Sequence, residues 1–461
     1  MQSGLIDSLK RIVGAEHVLT NQEDLLCYSY DATPGFSHMP DAVVMPGTAD
    51  EVAKVLAAAN DAKVPVYPRG SGTNLSAGTV PLKGGIVLLM TRMNKIVEID
   101  TANLIAVAEP GVVVADLNKA VEEFGLIYPP DPGTVATATL GGTVSENAGG
   151  LRGLKYGVSK HYIMGLEVVL ADGRILNTGG KTVKDVAGYD MTKLFTGSEG
   201  TLGVITKITV KLMPAPEARK AMLATFGNLD EAGQAISAII AAKIIPATLE
   251  IMDNATIRTV EDFSKVGLPT TAEAVLLIEV DGIPEVVEKE AAKVVEVLKA
   301  NNAAEIRVAK DAGERDKIWA ARRAALPALA KLRPTTFVED ATVPRSKVPD
   351  MIRAVNEIAA RYNVTIGTFG HAGDGNLHPT IVCDIRDDAE MDRVYKAMDE
   401  IFAVSLKLGG TLSGEHGIGV GKLRYMESQF GPAGMAAMRS IKKALDPNCI
   451  LNPGKLVGEC G

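Results

Sequence analysis

The sequence predicts a mixed fold of the α/β or α+β class. Three observations predict it: hydrophobic periodicity that switches repeatedly between strand and helix repeats, two successive strand–helix–strand rounds in the second half, and dense glycine clusters between good strands. At 461 residues the chain is too long for one ordinary core, so two or three domains are expected.

Residues 42–46 (AVVMP) read as a strand, and 48–62 as a helix opened by a Thr/Asp-rich cap. Residues 65–68 lead into a Gly-rich turn, and 85–90 (GIVLLM) form another strand. Residues 166–171 and 174–176 flank Asp172-Gly173, a hairpin signal because that pair accepts the positive φ of a tight turn. The strand-like stretch 201–213 is closed by Pro214 and Pro216, which marks a domain boundary. Beyond it, 222–226 is a strand, 229–242 a helix and 248–252 a strand; a second round follows in 274–280, 284–300 and 305–309. Two such rounds suggest a ferredoxin-like sheet covered by helices on one face. From about Gly409 the chain is Gly-rich again, and it ends in Leu451-Asn452-Pro453-Gly454-Lys455, a tail expected to return to the first domain.

Composition narrows the function. Hydrophobic residues make up 46% and charged residues 23%, ordinary for a soluble globular protein. A net charge of -8 and an aromatic fraction of 4% argue against a nucleic-acid partner, which needs basic patches and stacking platforms. No segment offers the roughly 20 apolar residues of a transmembrane helix, and residues 1–7 do not read as a signal peptide. Cys27, Cys383, Cys449 and Cys460 are scattered, without CxxC or a cluster-ligand run. They read most simply as reduced structural thiols of a cytoplasmic protein.

Arg69-Gly70-Ser71-Gly72-Thr73-Asn74 follows a strand, but Leu75 stands where a dinucleotide fingerprint has its third glycine, and no clear amphipathic helix follows. The segment is either a Gly-rich surface turn or an anion nest of backbone N–H groups. It is followed by glycine-dense segments at 129–134, 140–150 and 197–203. Glycines this dense between strands imply backbone lying against a large ligand.

In this order the segments resemble the FAD domain of the vanillyl-alcohol oxidase/p-cresol methylhydroxylase (PCMH) flavoprotein superfamily. Over essentially its full length the chain resembles the D-lactate dehydrogenase/glycolate oxidase flavoprotein-subunit branch. The resemblance implies an α+β fold: a PCMH-type FAD-binding domain of two α+β subdomains over 1–217, a ferredoxin-like α+β substrate (cap) domain over 218–410, and a segment over 411–461 that returns to the FAD domain carrying Glu415 and His416. It implies that Arg69, Gly70, Ser71, Gly72, Thr73 and Asn74 wrap the pyrophosphate of FAD. Gly133, Gly142, Ser145, Asn147 and Gly150 would line the flavin and ribityl chain, Glu199 and Ile205 the adenine half, and Pro132 and Asn452 complete the set. Several relatives tether flavin through a His in the first loop; Thr73 stands there, so FAD is expected to be held non-covalently.

Three of the six histidines sit in two Gly-rich motifs, His371 and His378 within 370–378 (GHAGDGNLH) and His416 within 413–419 (SGEHGIG). Two imidazoles and a carboxylate make a three-ligand set that leaves positions open for substrate, as catalytic metal sites require. A lone histidine is more often a hydrogen-bonded core residue, and Asp374 between glycines suits either a ligand or an Asx turn. A hydrolytic zinc site would leave the flavin signals unexplained, and no HExxH occurs. Both motifs match the same family, which implies that His371, His378 and Glu415 hold a divalent metal (Zn, Mn or Fe) and that His416 is the catalytic base. Glu415 and His416 are adjacent, so in an extended stretch they would point apart unless the glycines bend the backbone.

The resemblance pairs Arg322, on a helix after Trp319, with the substrate carboxylate; taken blindly it would be a solvated helix charge. Leu326 and Pro379 stand where relatives that take dicarboxylic acids place polar groups, which leans towards D-lactate or glycolate. The expected reaction passes the hydroxyl proton to His416 and hydride from C2 to flavin N5. Relatives pass electrons to an iron–sulfur subunit, an electron-transfer flavoprotein, a cytochrome or a quinone; no NAD fingerprint occurs. A homo-oligomer or hetero-complex is expected, cytoplasmic or membrane-associated through a partner. Two other readings stand beside this one: an electron-carrying flavoprotein subunit with a vestigial substrate site, and a flavin-dependent lyase or transferase without net redox change.

Overall fold

The computed structural model describes residues 3–459. They form two units, one combining the chain up to Gly149 with Val158–Ala215 and the segment from Glu415 onward, the other combining Gly150–Gly157 with Pro216–Gly414.

The first unit contains two main sheets. A four-stranded sheet has the order Val18–Leu19, Ala42–Val44, Ile86–Leu89, Val66–Arg69, and its last three strands run parallel. The parallel pairing needs a crossover, supplied by helix Ala49–Asp61. Thr48 starts that helix by accepting a hydrogen bond from the Glu51 N–H at 3.1 Å. Its apolar stripe of Val52, Val55, Leu56 and Ala59 packs in one core with Val44, Ile86 and Leu88. Each such large aliphatic side chain contributes roughly 1.5–3 kcal/mol by leaving water. At the edge strand, the Val66 N–H donates to the Ile450 carbonyl at 2.7 Å and the Val66 carbonyl accepts from Asn452 N–H at 2.8 Å. The C-terminal tail therefore lies along that edge. Beside it, the buried Lys455 Nζ donates to the carbonyls of Ala77, Gly78 and Val80 at 2.7, 3.0 and 2.8 Å.

The second sheet is antiparallel, in the order Ile96–Asp100, Ile105–Ala108, Val204–Lys211, Ile163–Val169, Ile175–Gly179. The hairpin signal at Asp172-Gly173 is realised there, with Gly173 at φ +85°. The segment 140–150, read from sequence only as glycine-rich, contains a short helix, Leu140–Glu146. Thr139 caps its start by accepting from Gly142 N–H at 3.4 Å, and Asn147 ends it in the left-handed conformation at φ 55°.

The second unit is built on one large antiparallel sheet. Its first four strands, in the order Glu305–Val308, Ala218–Phe226, Ala274–Gly282, Thr248–Asp253, with helices Leu229–Ala241 and Pro284–Ala300, make the ferredoxin-like double round. The sheet continues through Thr365–His371, Asn376–Cys383 and Thr335–Val338, with Ala341–Thr342 also pairing to Asn376–Cys383. Helices cover both faces, which corrects the one-face expectation. Leu276 and Ile278 pack with Ile236 and Val294 on one side, while Val275 and Leu277 pack with Ile257 and Trp319 on the other. The unbroken apolar run 274–278 (AVLLI) is what a strand buried on both faces requires.

Cys27 is an exposed and Cys383 a buried free thiol, but Cys449 is disulfide-bonded, against the expectation of reduced thiols; no spacing signal announces it. Among the described residues no helix is long and apolar enough to cross a membrane. Replacing Lys455 with Met would strand three buried carbonyls that now share one ammonium. Lys455→Met is expected to cost about 3 kcal/mol, read as a lower urea midpoint with an unchanged denaturant slope.

Candidate active site

In the first unit, a cleft with about 550 Å³ of atom-free space lies between the end of strand Val66–Arg69, helix Leu140–Glu146 and the 199–205 turn. Of the cofactor residues expected from sequence, Arg69, Gly70, Gly142, Ser145, Glu199 and Ile205 line it. Ser71, Gly72, Thr73 and Asn74 continue the loop beyond its wall. Gly72 sits at φ +72°, and the Asn74 carboxamide oxygen accepts from Gly78 N–H at 2.8 Å, so these residues shape the loop. Pro132 is buried and Gly133 exposed, in a segment off the cleft wall. Asn147 accepts from the Lys160 N–H at 2.9 Å, and Gly150 falls in the other unit. Asn452 ties segments together, its Nδ2 donating to the Gly78 and Glu199 carbonyls at 2.9 and 2.7 Å.

The cleft wall combines glycine-rich backbone at Gly70, Gly78, Gly141, Gly142, Gly200 and Gly203 with the larger side chains of Arg69, Glu146 and Glu199. A Cβ on Gly70 would overlap Thr139 Oγ1, so only glycine lets the Arg69 loop meet the start of the helix. Arg69 is buried, its Nη1 donating to the Tyr30 carbonyl at 2.8 Å and its guanidinium 5.7 Å from the Tyr28 ring centroid. The Glu199 carboxylate accepts from the N–H groups of Ile418 and Gly419 at 2.7 and 2.6 Å. Glu146 also lines the cleft, and sequence reasoning missed it although it stands between the two expected residues Ser145 and Asn147.

Glu415 and His416 belong to this unit too. They lie outside any strand, and His416 Nε2 comes within 3.7 Å of Glu415 Oε1. The side chains thus approach instead of pointing apart, because Gly417 and Gly419 at φ +79° and +48° coil the backbone there.

In the second unit the two motif histidines are brought together. His371 ends strand Thr365–His371, His378 lies on Asn376–Cys383, and their Nε2 atoms are 3.4 Å apart. His371 Nδ1 is 2.6 Å from Glu250 Oε1, and His378 Nδ1 is 3.3 Å from the Glu339 carbonyl oxygen. A carboxylate and a carbonyl only accept, so each Nδ1 is the donor and Nε2 is the nitrogen each ring has left for a ligand. Two converging Nε2 lone pairs on buried rings form a donor pair suited to a divalent cation.

Arg322 lies on helix Ala312–Arg323, with Trp319 one turn earlier on the same side. Its Nε donates to Glu250 Oε2 at 2.7 Å, its guanidinium lies 4.6 Å from the Phe369 ring centroid, and the Trp319 N–H donates to Glu279 at 2.8 Å. Arg322 is therefore not a solvated helix charge. Glu250, fully buried, was missed because no motif surrounds it. Burial alone would raise its carboxyl, but His371 and Arg322 outweigh burial and hold it below the usual carboxylate range. Asp374 adopts the Asx-turn role, accepting from Asn376 N–H at 3.2 Å.

Family models match both halves: an FAD binding domain over residues 40–179 and the C-terminal domain of FAD linked oxidases over 215–456. The chain belongs to the FAD-linked oxidases. This oxidase is 53% identical over 450 residues to the glycolate oxidase subunit GlcD of Bacillus subtilis (strain 168), across 98% of this chain and 96% of that protein. It is 38% identical over 440 residues to a D-lactate dehydrogenase of Archaeoglobus fulgidus, across 93% and 95%. Solved p-cresol methylhydroxylase superposes with a TM-score of 0.82 at 19% identity, covering 100% and 98%. The oxidase thus has the α+β fold of the PCMH type, and FAD is its cofactor.

The contact between Gly70 and Thr139 has a measurable signature. Gly70→Ala is expected to cost about 1–3 kcal/mol by overpacking, and much less in a Thr139→Ala background. Chemical unfolding of the four proteins in the double-mutant cycle would show that coupling; additive costs would mean the two residues do not press on each other.

Proposed function

We propose that this oxidase is an FAD- and divalent-metal-dependent dehydrogenase that converts a small D-2-hydroxy acid, D-lactate or glycolate, to its 2-oxo acid. The observation that carries the reading is the converging pair of His371 and His378, backed by Glu250 and flanked by Arg322. The names of the two relatives point to the same substrate class.

In this reading His371, His378 and Glu415 hold the metal, while Arg69, Gly70, Gly142, Ser145, Glu199 and Ile205 hold FAD without a covalent bond. When bound, the cation acidifies the substrate hydroxyl and FAD accepts the hydride. Arg322 pairs with the substrate carboxylate; its Nε is committed to Glu250, so the two Nη groups are the ones for that task. His416 takes the hydroxyl proton as a neutral imidazole. Glu250 fixes the tautomer and orientation of His371 and holds Arg322 in place. Leu326 and Pro379 are apolar, which favours a small substrate over a dicarboxylic one.

We assign 1–217 and 411–461 to the FAD domain and 218–410 to the substrate domain. The Bacillus relative is named as a subunit, and this supports electron delivery to a second protein or a quinone.

Anaerobic addition of D-lactate or glycolate to the purified protein is expected to bleach the flavin band. Chelation should abolish the bleaching and Zn²⁺ or Mn²⁺ restore it; a yellow protein that no hydroxy acid bleaches, with metal supplied, rules the dehydrogenase reading out. Glu250→Gln is expected to weaken metal binding by about 10–100-fold while FAD content stays unchanged. Metal titration followed by competition with a chelating dye reads this directly, and unchanged affinity would remove Glu250 from the metal-supporting role.

A further inference from the structure

Helix Ala312–Arg323 carries Arg322, yet little of it is apolar. Only Ile318, Trp319 and Ala321 are buried, and the six residues before Ile318 contribute nothing to the core. Apolar burial is non-directional, so a contact this short holds the helix on the sheet without fixing its rotation. Two polar contacts supply that direction. Trp319 Nε1 donates to Glu279 Oε2 at 2.8 Å, and three residues on Arg322 Nε donates to Glu250 Oε2 at 2.7 Å. Residues three apart share one face of a helix. Their acceptors stand on adjacent strands, where Thr248 pairs with Glu279 and Glu250 with Leu277, so the two glutamates are diagonal neighbours on one face. The helix is thus tied to the sheet at two points.

Glu279 is a carboxyl group that the proposed reaction does not use. It is buried, on a strand face where Val275 and Leu277 lie in the hydrophobic core. Burying a carboxyl there is costly unless it is bonded. Its neighbours on that face meet cations: Glu250 meets Arg322, and Asp281 meets Lys155 Nζ at 2.5 Å as well as the Tyr156 hydroxyl at 2.7 Å. Glu279 meets the neutral indole of Trp319, whose N–H is a donor only. What it supplies is an acceptor at a fixed point. Arg322 Nε is committed to Glu250, so the direction of the two Nη groups follows the rotation of the helix. A bidentate grip on a carboxylate is sensitive to that direction.

We propose that Glu279 is a positioning residue for recognition of the substrate carboxylate. By accepting from Trp319 it sets the rotation of helix Ala312–Arg323 and so the aim of the Arg322 Nη groups, an inference that rests on Arg322 being the group that binds that carboxylate.

Four variants of the holoprotein test it: Trp319→Phe removes the donor, Glu279→Leu the acceptor, the double variant both, and Glu279→Gln keeps an acceptor oxygen. Turnover is followed with an artificial electron acceptor and D-lactate or glycolate, whichever bleaches the wild-type flavin. KM is expected to rise about tenfold in W319F and in E279L, with kcat within about twofold. The double variant should be no worse than either single one, and E279Q should stay within about threefold of wild type. A merely structural role would lower kcat through lost active protein and leave KM alone, which overturns the inference. Effects that multiply in the double variant overturn it too, as does E279Q matching E279L, since that assigns the role to the charge. Trp319 is the one tryptophan in the chain, so its emission reads the contact without turnover. The emission maximum should shift in E279L and return in E279Q; no shift in E279L overturns the inference. Should E279L fail to fold, W319F and E279Q decide: wild-type KM in W319F overturns the inference, and a tenfold rise beside a near-normal E279Q supports it. Wild-type protein bleached by neither acid would overturn the dehydrogenase reading and this inference with it, whereas active wild type with unchanged KM in W319F and E279L overturns this inference alone.

Discussion

The second unit is organised around one buried negative charge. Glu250 occupies a position on strand Thr248–Asp253 where the alternation of the sheet calls for an apolar side chain, since Met252 on the same face lies in the hydrophobic core. It is retained because two cationic or proton-donating groups reach it from different elements, Arg322 from a helix and His371 from the neighbouring strand. Removing either would leave a buried charge partly uncompensated, which is far costlier than the pair is stabilising. Strand register does the rest. Ile251 pairs with Gly370 and Phe369 with His378, which puts Glu250, His371 and His378 side by side on one face. A one-residue slip of any one of these strands would send its member of the trio to the other face, so the hydrophobic pattern that sets the register also sets the site.

The first unit solves a different problem, that of bringing backbone close to a long, charged ligand. Its devices are short contacts between main chain and small groups: Gly70 against Thr139, the Glu199 carboxylate on two N–H groups, Lys455 on three carbonyls. These tie the loop after Arg69, the 199–205 turn and the C-terminal tail together around the cleft. The tail therefore has a reason to cross back to the edge of the four-stranded sheet: it carries the lysine and asparagine that lock the loop.

Much of this was legible in the sequence, and the reasons are physical. The double strand–helix–strand round was read within a residue or two, except that its first strand begins four residues earlier, at Ala218, because period-2 and period-3.6 patterns alternate cleanly between 222 and 309. The Asp172-Gly173 hairpin was legible from turn chemistry alone. The two Gly-His motifs stood out because histidine is scarce here, six in 461 residues. Helix Leu140–Glu146 was not legible: two glycines in its first turn mask it, and what holds it is a cap at Thr139 and tertiary contact, not propensity. The second helical layer was hidden because a strand buried on both faces has no alternation to read. Glu250 was invisible for a deeper reason. Its importance comes from what lies opposite it in space, more than 100 residues away in sequence, and no local pattern encodes that.

Glu250 and Glu146 show why residue type underdetermines role. Glu250 is fully buried and Glu146 half-buried, and burial by itself raises both. Two cationic or proton-donating groups touch Glu250 directly, so it stays ionised and acts as an acceptor that orients an imidazole and a guanidinium. Around Glu146 the nearest carboxylates add to the effect of burial, and the ammonium that opposes them is already bonded elsewhere. The same side chain is thereby pushed in opposite directions, Glu250 below and Glu146 above the usual carboxylate range. An ionised glutamate can orient donors but cannot donate, and a protonated one can do what the other cannot.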